Sequence, residues 1–282
     1  MYDLSSATPS VPLATLNNPT PAAFDCFGCS VAISGTKVVI GAYNDDTGAA
    51  SAGSAYVYDL GGGTPTVPVA ALNNPFAAAN DNFGWSVAIS GTRVLIGAPS
   101  DNTGASGAGS AYVYDFSGAT PTLPVATLNN PSPALHESFG NSIAISGKWL
   151  VVGSPLDDAG LEDEGNTYVY DLSGGTPSVP VFTLANPGTS PRNYDEFGTA
   201  VAISGTRVVV GAPYDDTGAG NAGRAYVYDL ASGTPTVPMF VLNNPSPAAS
   251  DTFGNSVAIS GSLVVVRDPS TLSIPSPFMC MT

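Results

Sequence analysis

The sequence predicts an all-β protein assembled from one repeated unit, and three observations support this prediction. First, a Phe-Gly pair recurs five times, at spacings of 56, 56, 58 and 56 residues. The pairs are Phe27-Gly28, Phe83-Gly84, Phe139-Gly140, Phe197-Gly198 and Phe253-Gly254. Second, the 32 Gly and 25 Pro among 282 residues disfavour long helices. Third, no long stretch has the apolar spacing of a helix. A fixed period of this length is typical of solenoids, propellers and arrays.

Each repeat predicts four strands. SVAIS alternates apolar and small residues with period two, so it predicts the first strand. A Ser-Gly-Thr turn leads to KVVIGA or a variant, whose continuous apolarity indicates burial on both faces. The third strand, SAYVYD, places Tyr56 and Tyr58 on one face and Val57 on the other. The fourth, PVATLNNP, begins and ends with Pro, a residue tolerated at sheet edges, so we expect it to be outermost.

Four antiparallel strands per ~56 residues, repeated around a ring, favour a β-propeller over a β-helix, whose rungs need only ~20 to 30 residues. We therefore predict an all-β propeller of about five four-stranded antiparallel blades in residues 1–269, and a non-repeat tail in residues 270–282. The repeats lie near residues 25–80, 81–136, 137–194, 195–250, and 251–269 together with 1–24.

The two ends of the chain have complementary defects. Residues 1–4 read as the end of a third strand, and VPLATL follows as a fourth strand with no blade before it. The fifth copy has SVAIS and LVVV but then Arg267, where the other copies have Gly. We therefore expect the N-terminal strand to close the last blade, with its third strand supplied by Thr271 to Ser276 or missing. A truncated or frame-shifted reading of a longer repeat protein explains the same defects.

The charge balance restricts the classes of partner. Seven Lys and Arg against 22 Asp and Glu give a net charge of −15, which disfavours binding to nucleic acid or to an anionic membrane. No run of eighteen apolar residues predicts a transmembrane helix. The first ten residues lack the basic region and the apolar core of a signal peptide.

The motifs also carry a family resemblance. Phe-Gly, then Gly-Ala-Pro fourteen residues later, then an aromatic strand resemble the FG-GAP repeat of integrin α-subunit propellers. SVAISG and GSAYVY are still more similar to the bacterial FG-GAP variant, and the resemblance spans residues 1–266. It implies an extracellular propeller that binds ligands or mediates adhesion. We thus expect a non-catalytic module of a secreted or cell-surface protein, with a protein or glycan ligand. The alternative is a scaffold domain of a larger, possibly carbohydrate-active, extracellular enzyme.

Acidic residues recur in the Gly-rich loop between the second and third strands. Oxygen ligands on a flexible loop suggest calcium, although integrin metal loops read DxDxDG and these carboxylates are adjacent. The alternative is a solvated turn in which Asp caps backbone N–H groups. The strongest candidate ligands are Asp157, Asp158, Glu162, Asp163 and Glu164. The weaker candidates are Asp45, Asp46, Asp101, Asp215 and Asp216.

The remaining recurrent acids are expected to have structural roles in turns, because they occupy equivalent positions in every repeat. One set precedes each Phe by two residues: Asp25, Asp81, Glu137, Asp195 and Asp251. The other ends the aromatic strand: Asp59, Asp115, Asp171 and Asp229.

Candidate catalytic or metal-binding groups of other kinds are few. The only His, His136, lies in a connector and is expected at the surface. Cys26 and Cys29 form a CxxC that resembles a redox or zinc half-site. The sister repeats lack these cysteines and a zinc site needs four ligands, so a structural interpretation is favoured. No catalytic residue is predicted.

Overall fold

A computed structural model describes residues 1–5, 7–158, 161–188 and 194–269. Eighteen strands in these ranges form five antiparallel sheets, and the described residues contain no α-helix. No described helix is therefore long and apolar enough to cross a membrane. The all-β propeller fold predicted from the repeats is confirmed.

Four sheets are complete blades of four strands each. Blade 1 contains β1 (Val31–Ser34), β2 (Lys37–Ala42), β3 (Ser54–Asp59) and β4 (Ala70–Asn73). Blade 2 contains β5 (Ser86–Ser90), β6 (Arg93–Ala98), β7 (Ser110–Asp115) and β8 (Ala126–Asn129). Blade 3 contains β9 (Ser142–Ser146), β10 (Trp149–Ser154), β11 (Asn166–Asp171) and β12 (Phe182–Ala185). Blade 4 contains β13 (Ala200–Ser204), β14 (Arg207–Ala212), β15 (Arg224–Asp229) and β16 (Phe240–Asn243). Blade 5 contains β17 (Val257–Ser260) and β18 (Leu263–Val266).

Within each complete blade the strands pair in chain order, and the fourth strand is outermost as predicted. Ile40 of β2 pairs with Val31 on one side and with Tyr56 on the other. The alternation predicted for the third strand is also confirmed. Tyr56 and Tyr58 pack with Val38 and Ile40 on the side that faces the N-terminal segment, whereas Val57 packs against blade 2.

The hydrophobic core lies between successive blades, because each sheet is apolar on both faces. The first strands of neighbouring blades lie side by side, β1 on β5, β5 on β9, β9 on β13 and β13 on β17. One face of blade 1, including Val39, Val57 and Leu72, packs against Phe83 and Tyr112 of blade 2. The Phe residues of the Phe-Gly pairs at positions 83, 139 and 197 are fully buried in these interfaces. Packing of successive blades against each other therefore supplies the hydrophobic core that a single blade lacks.

The described residues do not show the predicted closure by the N-terminal strand. Residues 11–16 form no strand, and the fifth sheet contains β17 and β18 alone. The Leu13 N–H instead donates to the Met1 carbonyl (2.8 Å), which repeats the Val69-to-Val57 bond of blade 1. Leu16 packs with blade 1. In the complete blades the outer strand pairs with a third strand, and the segment proposed for that role, Thr271 to Ser276, lies outside the described residues.

The two ends of the blade series are consequently exposed. Val265 of β18 is 68% exposed, whereas its counterparts Val39 and Val151 are fully buried by the next blade. At the opposite end, Val31 of β1 is 64% exposed. The fifth blade thus departs from the predicted four strands in the described part of the chain.

Candidate functional site

A hydrogen-bonded ladder joins each blade to the next on the face that carries the Gly-rich loops. We call residues 24–29, 80–85, 136–141, 194–199 and 250–255 the FG turns, and residues 43–53, 99–109, 155–165 and 213–223 the Gly-rich loops. In blade 2, N–H groups of the FG turn donate to the Gly-rich loop of blade 1: Asn80 to Ala50 (2.8 Å), Asn82 to Ser51 (3.2 Å) and Phe83 to Ala52 (2.9 Å). The equivalent bonds run from His136, Ser138 and Phe139; from Tyr194, Glu196 and Phe197; and from Ser250, Thr252 and Phe253.

The backbone of each FG turn is strained in the same way. Two non-glycine residues, three positions and one position before the Phe, adopt a positive φ; in blade 3 these are His136 (φ 62) and Ser138 (φ 58). Such conformations persist only where the surroundings fix them. In blades 2 to 5 the ladder contributes to this constraint, whereas Phe24 and Cys26 of blade 1 adopt a positive φ without it.

The acid between the two strained residues is buried and locks the turn, as expected for a structural role. Asp81 accepts hydrogen bonds from Asn74 Nδ2 (2.7 Å) and from the Ala78 N–H (2.7 Å). Burial raises the pKa of Asp81, the Ala78 hydrogen bond opposes the rise, and the nearby Asp101 carboxylate adds to it. The equivalent amide-to-acid bonds are Asn18 to Asp25, Asn130 to Glu137, Asn186 to Asp195 and Asn244 to Asp251.

The paired residues of the Gly-rich loops also have turn roles. Asp101 is buried and accepts hydrogen bonds from the Thr103 N–H (2.7 Å) and the Tyr112 hydroxyl (2.8 Å). Asn102 Oδ1 accepts from the Gly107 N–H (3.0 Å).

The first acid of the other loops accepts a hydrogen bond from a tyrosine hydroxyl in the same way: Asp45 from Tyr56, Asp157 from Tyr168 and Asp215 from Tyr226. The second acid caps the N–H five residues later: Asp46 that of Ser51, Asp158 that of Asp163 and Asp216 that of Asn221. Since Asn102 fills this place without a charge, the capping bond does not require a carboxylate.

The loop with the strongest calcium prediction brings together part of its predicted ligand set. Asp157 is buried and also accepts from Asn166 Nδ2 (3.0 Å), so it faces the blade rather than the loop. Burial raises the pKa of Asp163, and the carboxylates of Asp158 and Glu162 raise it further. Glu164 Oε2 accepts from the Leu161 N–H (3.2 Å). Among the described residues no group of three or more His, Cys, Asp or Glu is placed to hold a metal ion. Residues 159–160 of this loop lie outside the described ranges, and calcium stays a prediction.

The acids that end the third strands close the hairpins at the opposite end of each blade. Asp171 accepts hydrogen bonds from Lys148 Nζ (2.6 Å) and from the backbone and hydroxyl of Ser173. These bonds, led by the one from Lys148, lower the pKa of Asp171 to about 2. Asp59, Asp115 and Asp229 make equivalent bonds to Thr36, Thr92 and Thr206.

A polar cleft of about 340 Å³ opens on the loop face, between the Gly-rich loop of blade 2 and the FG turns of blades 2 and 3. Its lining residues are Ala79, Asn80, Asn82, Pro99, Ser100, Asn102, Ser106, Gly107, His136 and Ser138. None of them is Asp, Glu, Lys or Arg. His136 is exposed, as expected from the sequence, and its backbone N–H donates to the Ser106 carbonyl (2.9 Å).

Sequence reasoning missed this cleft as a site. It is built largely from positions at which the repeats differ. The place of His136 is taken by Phe24, Asn80, Tyr194 and Ser250 in the other FG turns, and Asn102 replaces an Asp of the other Gly-rich loops. The sequence signal for this cleft is therefore the difference between blades at equivalent positions, and not the residues that the repeats share.

Comparison with protein families decides the family of the chain. The model of the FG-GAP repeat matches residues 14–58, 71–114, 125–170 and 191–228, which together exceed half of the chain. The chain belongs to the FG-GAP repeat family. Each matched segment of this FG-GAP repeat protein contains the first two strands of one complete blade and all but the last residue of its third strand. FG-GAP repeats are typical of extracellular proteins and form propeller modules that are often used for binding or adhesion.

Other comparisons give little functional information. Among curated proteins, no significant relative of this chain is found. Among solved structures, one match is the crystal structure of the computationally designed Ika4 protein. Its TM-score is 0.47 at 16% identity, and the match covers 78% of this chain and 98% of the designed protein.

Proposed function

We propose that this FG-GAP repeat protein is a non-catalytic binding module of a secreted or cell-surface protein, and that it binds a neutral glycan in the cleft around His136. The observation that carries the proposal is the neutral, hydrogen-bonding lining of that cleft. Its volume of about 340 Å³ falls within the range of small-ligand sites. The net charge of −15 disfavours anionic ligands, and the cleft itself offers no Asp or Glu to a cationic one. An uncharged ligand is therefore favoured there.

The lining offers the chemistry that hydroxyl-rich ligands need. Asn amides and Ser hydroxyls both donate and accept hydrogen bonds, as sugar hydroxyls do. Asn102 uses Oδ1 to cap the loop, so its Nδ2 is the group available to a ligand. Outside the lining, Trp85 is 41% exposed in the same FG turn as Asn82 and packs edge-on against Tyr43, with ring centroids 4.8 Å apart. An exposed aromatic beside amides can pack against the apolar face of a sugar ring.

The same lining supports binding without catalysis. A His acting as general base in an acyl-transfer triad is oriented by a carboxylate, and the lining contains none. The adjacent Glu137 is buried, and its Oε2 accepts from Asn130 and Ala134. Glycosidases need two carboxyl groups that flank the bond to be broken. We therefore assign no catalytic residue.

The test is a screen of immobilised neutral glycans, followed by calorimetry with the best soluble hit and analysis of the recovered glycan. Asn102→Asp keeps the capping oxygen but removes the Nδ2 donor, and Asp already occupies this place in the other complete blades. We expect it to weaken binding at least about tenfold. Asp216→Asn is the reciprocal control in blade 4 and should bind like the wild type. Equal binding by both variants would refute the site, and hydrolysis of the glycan would favour the alternative of a carbohydrate-active parent enzyme.

We also propose that any calcium binding is confined to the loop from Asp157 to Glu164. The clustered carboxylates of Asp158, Glu162 and Asp163 support this, because a divalent cation relieves their repulsion. Asp158→Asn with Asp163→Asn copies the residues that blades 2 and 4 carry at these places, Asn102 and Asn221. Calorimetric titration should show heat in the wild type at micromolar to millimolar calcium and none in this variant. No heat in the wild type would leave all four loops as solvated turns.

A further inference from the structure

The first FG turn, residues 24–29, lacks the ladder that holds the other four. In blades 2 to 5, three N–H groups of the turn donate to the Gly-rich loop of the preceding blade. Among the described residues, the equivalent N–H groups of Phe24, Cys26 and Phe27 make no such bond. Phe27 is only half-buried, in contrast to the fully buried Phe83, and Phe24 is 87% exposed. Among the described residues this turn therefore keeps the amide-to-acid bond from Asn18 to Asp25 (2.6 Å) but lacks the backbone ladder.

This same turn is the one that contains two cysteines. Cys26 and Cys29 are the first and last residues of its final four-residue segment, and the Cys29 N–H donates to the Cys26 carbonyl (3.2 Å). Gly28 between them has a φ of 89°. A turn of this kind keeps its first and fourth Cα atoms within about 7 Å, and a disulfide needs roughly 4.4–6.8 Å. The turn therefore brings the two Cα atoms to a separation at which a disulfide can form.

The surroundings of the thiols favour reaction with each other. Asn44 Nδ2 lies 3.5 Å from Cys26 Sγ and donates to it. A hydrogen bond with Cys26 is also the main reason that the pKa of Tyr43 rises to about 12. Cys29 is exposed and accessible to a small oxidant. Burial, followed by the charge and hydrogen bond of Cys26, raises the pKa of Cys29.

We propose that Cys26 and Cys29 form an intramolecular disulfide that fixes the first FG turn, for which the described residues provide no preceding ladder. The reaction is thiol–disulfide exchange with a small disulfide such as oxidised glutathione. One cysteine thiolate attacks the glutathione disulfide and releases one glutathione thiol; the second cysteine attacks the mixed disulfide and releases the other. Two protein thiols are oxidised and one glutathione disulfide is reduced to two thiols, so hydrogens and electrons balance.

The sequence has a third cysteine, Cys280, and the experiment uses the full chain with Cys280→Ser, so that only the turn cysteines remain. After equilibration with oxidised glutathione, intact mass should fall by two hydrogen atoms, with no glutathione adduct and no dimer. Amide hydrogen exchange at Gly28, whose N–H donates to Gly41 (3.0 Å), should slow about tenfold on oxidation. Gly140 makes the equivalent bond to Gly153 (3.0 Å) in a turn that the ladder already holds, and its exchange should not change.

A matched variant shows whether the disulfide slows amide exchange in any FG turn or only in the turn without a ladder. In the background Cys26→Ser, Cys29→Ser and Cys280→Ser, the changes Ser138→Cys and Asn141→Cys place a cysteine pair in the FG turn of blade 3. The Asn141 N–H donates to the Ser138 carbonyl (3.0 Å), so the same disulfide is expected, but without slower exchange at Gly140. A stable glutathione adduct on the native pair, two persistent thiols, or an oxidised turn with unchanged Gly28 exchange would overturn the proposal.

Discussion

The FG turns of blades 1 and 3 have nearly the same backbone but different surroundings. Gly28 and Gly140 adopt φ values of 89° and 91°. A Cβ added to Gly28 would meet no atom within 4 Å, whereas one on Gly140 would lie 2.6 Å from the Ser110 carbonyl oxygen of blade 2. The repeated Phe-Gly motif is therefore a joint between blades. Only where a preceding blade is present does the glycine also permit close backbone approach.

The same comparison explains Arg267. Its counterparts Gly41, Gly97, Gly153 and Gly211 each lie against the FG-turn glycine of the next blade, so that a Cβ there would overlap a carbonyl oxygen. No further FG turn follows Arg267 in the described residues. A long side chain is compatible with an end of the blade series and incompatible with its interior.

The largest expected effect is the difference between two identical substitutions. Gly28→Ala and Gly140→Ala impose the same strain at positive φ, about 1–2 kcal/mol. Gly140→Ala additionally forces the Ser110 backbone away, which should lower the free energy of unfolding by about 1–3 kcal/mol more. Urea unfolding with an unchanged slope measures this difference. Equal midpoints for the two variants would break the distinction between end and interior turns.

Removal of residues 1–16 should have an intermediate effect. These residues cover the outer face of blade 1, where Leu16 packs beside Val38 and Ile40. Loss of that cover should destabilise the protein by about 2 kcal/mol, measured as a lower melting temperature. Removal of residues 270–282, outside the repeats, is the control and should change the melting temperature much less. Similar losses from both truncations would show that the N-terminal segment contributes nothing specific.

The smallest effect is expected at the hairpin ends, away from the joints. The Lys148–Asp171 ion pair (2.6 Å) is partly exposed, so Asp171→Asn should lower stability by less than about 1 kcal/mol at neutral pH. The pKa of Asp171 is depressed to about 2 in the folded protein. Its contribution is therefore present above the ordinary Asp pKa of about 3.9 and is lost as pH falls through about 2. Unfolding at several pH values should show the two proteins converging towards pH 2; a constant difference would refute the assignment.

The sequence was most informative where the repeats agree. The 56-residue period and the two-residue alternation predict the strands and their order, because each complete blade repeats one pattern. The turn role of Asp81 is predicted correctly, whereas Asp101 is predicted as a calcium ligand or a solvated turn residue; their partners Asn74 and Tyr112 are not predicted. Those contacts join residues on different elements. The cleft at His136 and the exposed ends depend on which blade lies beside which residue, and a repeat pattern cannot specify this.

The ladder between the FG turns and the preceding Gly-rich loops joins successive blades. Residue-resolved hydrogen exchange on the reduced protein tests it directly, because Phe27, Phe83, Phe139, Phe197 and Phe253 occupy one position in five turns. The amides of the last four donate to Ala52, Ala108, Glu164 and Ala222 at 2.9–3.0 Å. We expect them to exchange at least about tenfold more slowly than the Phe27 amide. A Phe27 amide as protected as the other four would contradict the claim.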